Sequence, residues 1–415
     1  MKRVVITGLG TINPLGHNVA AYWENMIKGV SGAAGITRFD ASKFKTRFAC
    51  EIKEYDPNTY FEKGEARKYD LFTQYALISA EEAINQAGLL NSDIDFNKIG
   101  VIWASGNGGI GTLEHEVTEF AKGDGTPRFN PFLVPKMIAN MAPGMISIKF
   151  GFKGINYATV SACAASNNAI MDAFNYIRWG KANVMITGGS EAPVTYASVG
   201  GFNSMKALST RNDDPAAASR PFDKNRDGFV LGEGAGALIL ESYEHAIKRG
   251  ATILAEIIGA SMTADAYHMS ATHPEGEGAY RAINLALEDA GITIDDVDYV
   301  NAHATSTGVG DPSEIIAMQR ALENTDKVLS VSATKSMTGH LLGGAGAIEA
   351  IACIKALHDN IIPPTINIEE LEDMIPANIE IITNKAQKKT LNICMSNTFG
   401  FGGHNAIAIF KKYSN

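Results

Sequence analysis

The stretch "VSACAASNNAIMDAFNYIRWG" (160–180) decides the reading of the whole chain. A β-branched run ends at Val160, and Ser161, Ala162 and Cys163 lead into a helix start built from the smallest residues. The same plan recurs at "VSATKSMTGHLLGGAGAIEAIACIKAL" (331–357): Val-Ser-Ala, a turn, then a small-residue helix. In "AGAIEAIACIKAL" apolar or small side chains lie on nearly every side, which predicts a buried central helix. Ala and Gly let neighbouring backbones come close. The pair therefore predicts a duplicated fold, with two central helices packed between two sheets.

The rest of the chain agrees. Strand-like runs stand at "RVVITGLG" (3–10), "ANVMITGG" (182–189), "GALILES" (236–242), "ILAEIIGA" (253–260), "VDYVNAHA" (297–304) and "VLSVSA" (328–333). Amphipathic segments such as "AYRAINLALEDAG" (279–291) and "PSEIIAMQRAL" (312–322) lie between them. Strands alternating with helices predict an α/β fold with parallel or mixed sheets covered on both faces.

Composition removes several function classes. At 415 residues the chain exceeds one small core and suits two or three domains, or one large duplicated one. Its apolar runs fall short of the ~20 residues that span a bilayer. "MKRVVITGLG" lacks the apolar core and cleavage site of a secretory signal, so a cytoplasmic address is expected. The four cysteines form no CxxC pair, which argues against a disulfide framework or a zinc site. A net charge of −9 argues against nucleic-acid binding.

Two motifs are decoys. "TGLGTINP" (7–14) follows a strand but has Asn13 and Pro14 where a dinucleotide fingerprint needs its third glycine. "DKNRDG" (223–228) begins like a calcium loop but carries Gly234 where the bidentate Glu belongs. It reads instead as a tight turn feeding a strand.

Four segments carry chemistry. Cys163 sits at a helix start, where free N–H groups stabilise a thiolate or cradle an oxyanion. His303 follows the apolar strand of "VDYVNAHATSTGVGD", a place where ligands sit in open α/β sheets. Thr305 and Thr307 beside it offer hydroxyls to a cofactor arm. His340 lies in "TKSMTGHLLGGAGAIEA" with Lys335 before it. Glu349, deep in the apolar helix, needs a partner such as Lys335 or a cation. "SNTFGFGGHNA" (396–406) alternates Phe399 and Phe401 with glycines, which places Phe401 as a gate. His268 is expected to support the site, and His404 to be structural.

Cysteine with two histidines from distant strand ends suggests acyl transfer through a thioester. "SACAAS", "NAHATSTGVGD", "KSMTGHLLGGAGA", "NTFGFGGHN" and "STRNDDPAAASRPFDKNRDGFVLGEGAGALILE" (209–241) together resemble the β-ketoacyl-acyl-carrier-protein synthases, most closely the type II elongating enzymes of bacterial fatty acid synthesis. The resemblance covers essentially the whole chain.

It implies a thiolase-like fold: two similar βαβαβαββ halves in an α-β-α-β-α five-layer arrangement. Residues 1–250 would hold the nucleophile and the dimer and acyl-pocket loops. Residues 251–415 would hold the catalytic histidines and the glycine-rich gate loop. The implied reaction is a decarboxylative Claisen condensation of malonyl-carrier protein with an acyl chain on Cys163, extending it by two carbons. His303 and His340 would face the malonyl carbonyl. The N–H groups of Cys163 and Phe401 would form the oxyanion hole, Lys335 and Glu349 a supporting ion pair, and Thr305 and Thr307 the hold on the phosphopantetheine arm. The resemblance implies no required cofactor. It does imply a structural Na⁺ or K⁺ near Asn301, Glu349, Ser396 and Asn397.

The implied partners are an acidic acyl-carrier protein and a second copy of the chain. Because this chain is itself acidic, docking calls for a local basic patch. Lys63, Arg67 and Lys68, with Lys206 and Arg211, are the candidates near the expected mouth. One departure concerns "ASGNGGIG" (104–111): Asn107 stands where the resemblance implies a bulky apolar residue of the acyl pocket. Its amide, if buried, needs a partner. Two alternatives share the resemblance. One is a synthase making a specialised polyene or polyketide. The other is a non-catalytic partner of the chain-length-factor kind, which would lack the nucleophile.

Overall fold

The structure, a computed structural model, describes residues 1–91 and 94–414. Eleven strands join in one mixed sheet. In chain order they are β1 (Val4–Ile12), β2 (Ile99–Ala104), β3 (Asn156–Thr159), β4 (Val184–Glu191), β5 (Gly234–Ser242), β6 (Ala255–Ala264), β7 (Tyr299–Asn301), β8 (Leu329–Ser332), β9 (Ile379–Ile381), β10 (Ile393–Gly400) and β11 (His404–Lys412). The spatial order is β9-β8-β7-β10-β11-β6-β1-β5-β4-β2-β3.

That order contains the duplication. β3-β2-β4-β5-β1 in the first half matches β8-β7-β10-β11-β6 in the second, with the same parallel and antiparallel pairs. The halves join where Val4–Ile6 of β1 pair with Ala255–Ile257 of β6. β9 adds an edge strand to the second half.

The principal helices are α1 (Leu71–Ala87), α2 (Ile110–Lys122), α3 (Ala165–Arg178), α4 (Glu277–Ala290), α5 (Gly310–Ala321) and α6 (Ala345–Asp359). α3 and α6 touch strands of both halves. α1 covers the first half from outside, and α4, backed by α5, covers the second. This is the expected five-layer α/β arrangement. Twelve of the fifteen residues of α6 are buried, as its all-round apolar pattern requires.

The decoy motifs have structural explanations. Gly8 and Gly10 let α1 press on β1: a Cβ there would lie 2.2 Å from the Ala83 carbonyl oxygen and 2.0 Å from that of Ser79. Asp223 of "DKNRDG" is buried and accepts from the N–H groups of Asn225, Glu369 and Glu370, so it pins a turn. Among the described residues no helix is long and apolar enough to cross a membrane.

The repeat is real, but its register differs from the aligned Val-Ser-Ala motifs. Ala162–Ala164 forms a 3₁₀ turn running into α3, and Leu342–Gly344 forms one running into α6. Both turns open on a non-glycine residue with positive φ, 49° at Ala162 and 46° at Leu342. Ala162 therefore corresponds to Leu342, not to Ala333. The second half carries an extra segment between strand and turn, and that segment holds Lys335 and His340.

Candidate active site

Cys163 lies in the 3₁₀ turn just before α3 rather than inside the helix. β3 feeds that turn, and the positive φ of Ala162 is backbone strain of the kind found where a nucleophile is held out toward a reactant. The inserted segment of the second half crosses above it. There the His340 N–H donates to the Val230 carbonyl at 2.7 Å, which fixes the histidine backbone. Its Nε2 then lies 3.0 Å from Cys163 Sγ.

His303 comes from the loop after β7. The rings of His303 and His340 stand 5.3 Å apart and nearly perpendicular, at 85°. Cys163, His303 and His340 are all buried, and their ligand-capable atoms lie within 4.8 Å of one another. Glu314 of α5 secures the His303 loop by accepting from the N–H groups of His303 at 2.9 Å and Ala304 at 2.8 Å.

Burial sets the protonation states. It pushes the Cys163 thiol up to about 12, against the opposing pull of Lys335 and the Phe401 N–H. It pushes both imidazoles well below their ordinary range, and the charge of Lys335 drives them the same way. The site at neutral pH therefore holds a thiol and two neutral imidazoles. His340 Nε2 and Cys163 Sγ are close enough to share one proton.

Lys335 pairs with Glu349, both nearly fully buried, which supplies the partner this helix carboxylate needs. Burial still raises the Glu349 carboxyl, with Lys335 pulling it down. β10 delivers the glycine-rich loop. A Cβ on Gly400 would lie 3.0 Å from the Cys163 nitrogen, so only glycine lets the loop close over the turn. The N–H groups of Phe401 and of Cys163 itself both act to lower the thiol.

A cavity of about 570 Å³ leads to the sulfur. Val160, Ala162, Phe202, Phe229, Leu342 and Phe399 give it apolar walls; Thr305, Thr307 and Lys206 line it as well. The Thr305 and Thr307 hydroxyls are 3.2 Å apart. Asp311 accepts from the Ser306 and Thr307 N–H groups and so holds this loop from below. Phe401 is 36% exposed at the rim and leans toward Phe202, with ring centroids 6.4 Å apart.

Comparison with known proteins settles the family. Residues 1–246 match the model of the Beta-ketoacyl synthase, N-terminal domain, and residues 254–369 that of the Beta-ketoacyl synthase, C-terminal domain. The chain belongs to the β-ketoacyl synthase family. It is 47% identical to the "3-oxoacyl-[acyl-carrier-protein] synthase 2" of Synechocystis sp., over 99% of this chain and 98% of that protein. The identity to the Staphylococcus aureus (strain N315) protein of the same name is also 47%, over 99% of both chains. Among solved structures, "The ishigamide ketosynthase/chain length factor" superposes with a TM-score of 0.93 at 32% identity, covering 100% of both chains. A Beta-ketoacyl synthase from Burkholderia phymatum STM815 gives 0.91 at 34% identity, again over 100% of both.

Two expectations for this β-ketoacyl synthase need correction. Asn107 lines the cavity but is exposed, so its amide meets solvent and needs no buried partner. The basic residues do not form one group at the mouth. Lys206 lines the Cys163 cavity, whereas Arg67 lines a separate cleft of about 470 Å³. Lys63 and Lys68 are exposed on the same short segment as Arg67. The cause is the fold: residues 63–68 precede α1 on the outer layer, while Lys206 follows the helix Tyr196–Ser204 beside the mouth.

His268 is exposed and accepts from the Ser270 and Ala271 N–H groups, so it shapes the loop whose residues 270–272 line the cavity. His404 is exposed at the start of β11. Sequence reasoning missed Glu191 and Glu314. Both are buried carboxylates that organise site loops through backbone N–H groups. In "TGGSEA" and "PSEIIAM" neither acid stands beside a basic residue, so the sequence offered no partner to mark it.

Proposed function

We propose that the chain catalyses β-ketoacyl-acyl-carrier-protein synthesis, condensing a Cys163-bound acyl chain with malonyl-carrier protein. In the first step Cys163 Sγ attacks the acyl thioester carbonyl. The bond to the phosphopantetheine sulfur breaks, and the thiol proton passes by way of His340 Nε2 to the departing sulfur. The N–H groups of Cys163 and Phe401 hold the oxyanion. In the second step the carbon–carboxylate bond of the malonyl group breaks and carbon dioxide leaves. The electron pair stays on the enolate, whose oxygen takes hydrogen bonds from His303 and, once its single proton has moved to Nε2, from His340. The enolate carbon then attacks the acyl carbonyl, and Sγ departs as a thiolate that takes a proton from solvent to restore the thiol. Thr305 and Thr307 hold the phosphopantetheine arm.

The observation that carries this reading is the 3.0 Å approach of His340 Nε2 to Cys163 Sγ, at the end of an apolar cavity. The presence of the thiol also argues against a non-catalytic chain-length-factor role. Relatives named as acyl-carrier-protein synthases support fatty acid extension. A solved relative described as a type II PKS ketosynthase with its acyl-carrier protein, at 33% identity, keeps a polyketide product as the second reading.

The functional division falls at 1–250 and 251–415, supported by family matches that change over between 246 and 254. The last residue of that division, 415, lies outside the described residues. A homodimer is supported by exposed apolar side chains gathered at Val117, Phe120, Phe129, Phe132 and Val134. A cytoplasmic address is supported by four free, buried cysteines. The residues named for a monovalent cation fit one: Glu349 Oε2, Ser396 Oγ and Asn397 Oδ1 are buried oxygens without hydrogen-bond partners. A cation there would supply positive charge to these acceptors.

Lys206 is the docking residue nearest the cavity. Lys206→Glu is expected to raise KM for carrier-borne substrate several-fold while sparing a small thioester. Equal loss on both substrates defeats this. The overall reading is tested by mass spectrometry after incubation with acyl-carrier proteins of varied chain length. An acyl mass is expected on the Cys163 peptide and not in Cys163→Ala. No adduct with any chain length overturns the proposal.

A further inference from the structure

The nucleophile turn has a twin, and the twin is filled. In the second half, β10 ends at Gly400 above the Cys163 turn. In the first half, the corresponding strand β4 ends at Glu191 above the turn Leu342–Gly344. Where one half has no side chain, the other has a carboxylate.

That carboxylate takes four donors. The N–H of Gly343, which stands where Cys163 stands, donates to Oε2 at 2.9 Å. The Gly106 N–H donates to the same oxygen at 2.7 Å. The Asn107 N–H and the Ser105 hydroxyl donate to Oε1, each at 3.0 Å. Glu191 is fully buried. The packing is tight, since a Cβ on Gly343 would lie 2.2 Å from the Gly106 nitrogen. One copy of the turn thus leaves its N–H groups for a substrate oxygen. The other is closed by a carboxyl group the chain supplies itself, which burial pushes up to about 7 against the pull of its four donors.

We infer that Glu191 is a positioning residue of the active site, a built-in anion that locks Gly106 and Asn107 against Leu342. Those three residues line the Cys163 cavity from different halves. Ser166, on the helix behind Cys163, donates to the Gly343 carbonyl and ties the same knot to the nucleophile. Once ionised, above about pH 7, the carboxylate also reaches the thiol, where its charge opposes ionisation. Naming the locked wall an acyl-cavity wall rests on the function proposed above; the carboxylate's hold on the loops does not.

The test uses iodoacetamide on Cys163 and formate as a replacement anion. Glu191→Ala removes both anion and volume. Its alkylation–pH profile is expected to shift to lower pH, because the opposing charge is gone. Formate should move the profile back, and chloride at equal ionic strength should not. Transfer from an acyl-carrier protein should fall by about 10–100-fold and recover with formate. Glu191→Gln keeps the volume without the charge; its profile should shift the same way and, with no cavity opened, ignore formate. It carries the test if Glu191→Ala fails to fold, as judged by circular dichroism. A parent-like profile in Glu191→Gln, or a shifted Glu191→Ala profile insensitive to formate, overturns the inference. Failure of acyl transfer in the parent itself counts against the proposed function, because alkylation reads Glu191 without it.

Discussion

His303→Ala and His340→Ala are each expected to lose malonyl decarboxylation by about 10²–10⁴-fold. The argument rests on charge. Decarboxylation places negative charge on the former carbonyl oxygen, inside a cavity whose burial excludes most water. Burial and the nearby Lys335 keep both imidazoles neutral. A neutral imidazole keeps one N–H to donate and leaves its other nitrogen free to accept a proton, so the pair is ready when the enolate forms. The acid limb of the decarboxylation profile should accordingly fall below pH 6.5, the ordinary histidine midpoint.

The two variants should differ in acylation. A thiol pushed up to about 12 is ionised to about one part in 10⁵ at pH 7, so a base must take its proton. His340 is in contact with it at 3.0 Å. His340→Ala should slow acyl-enzyme formation as well, while His303→Ala should spare it. Acyl mass on Cys163 and carbon dioxide release, measured separately, resolve the two steps. Decarboxylation retained in both variants would remove the histidines from the mechanism.

The legibility of these residues in the sequence follows from physics. Cys163, His303 and the "FGFGG" loop stand at strand ends, where alternation stops and small residues begin, and that change is visible without structure. The duplication was visible too, because both central helices start in small residues, Ala164-Ala165-Ser166 in one and Gly343–Ala347 in the other, as close packing requires. Its register was not. Matching Val-Ser-Ala to Val-Ser-Ala hides the inserted segment that brings Lys335 and His340 over the thiol. Glu191 and Glu314 were illegible for another reason. Each carboxylate is held mostly by backbone N–H groups, with one uncharged side chain beside them, and backbone donors leave no trace in a sequence. Asn107 and the basic residues show the same limit at the surface. Which face a loop turns to solvent depends on layers far away in the chain.

Lys335→Met is expected to destabilise the fold by about 3–5 kcal/mol. It leaves Glu349 buried in α6 with its ion-pair partner gone. The pH dependence of the loss follows from the direction of the Glu349 shift. Burial raises this carboxyl, and Lys335 is what lowers it. Without Lys335 the folded-state value rises further above the unfolded one. The folded chain then holds a proton that the unfolded chain releases, and stability falls as pH rises through the folded value. Urea unfolding should therefore find Lys335→Met closer to the parent at pH 6 than at pH 8. Lys335→Met/Glu349→Leu replaces both charges with apolar volume and should recover most of the lost stability. It should not fully recover decarboxylation, because the charge of Lys335, which adds to burial in keeping His303 and His340 neutral, is still missing. A double variant no more stable than Lys335→Met would mean that Glu349 was never left uncompensated. One that is stable and fully active would mean that Lys335 holds the fold and plays no part in the chemistry.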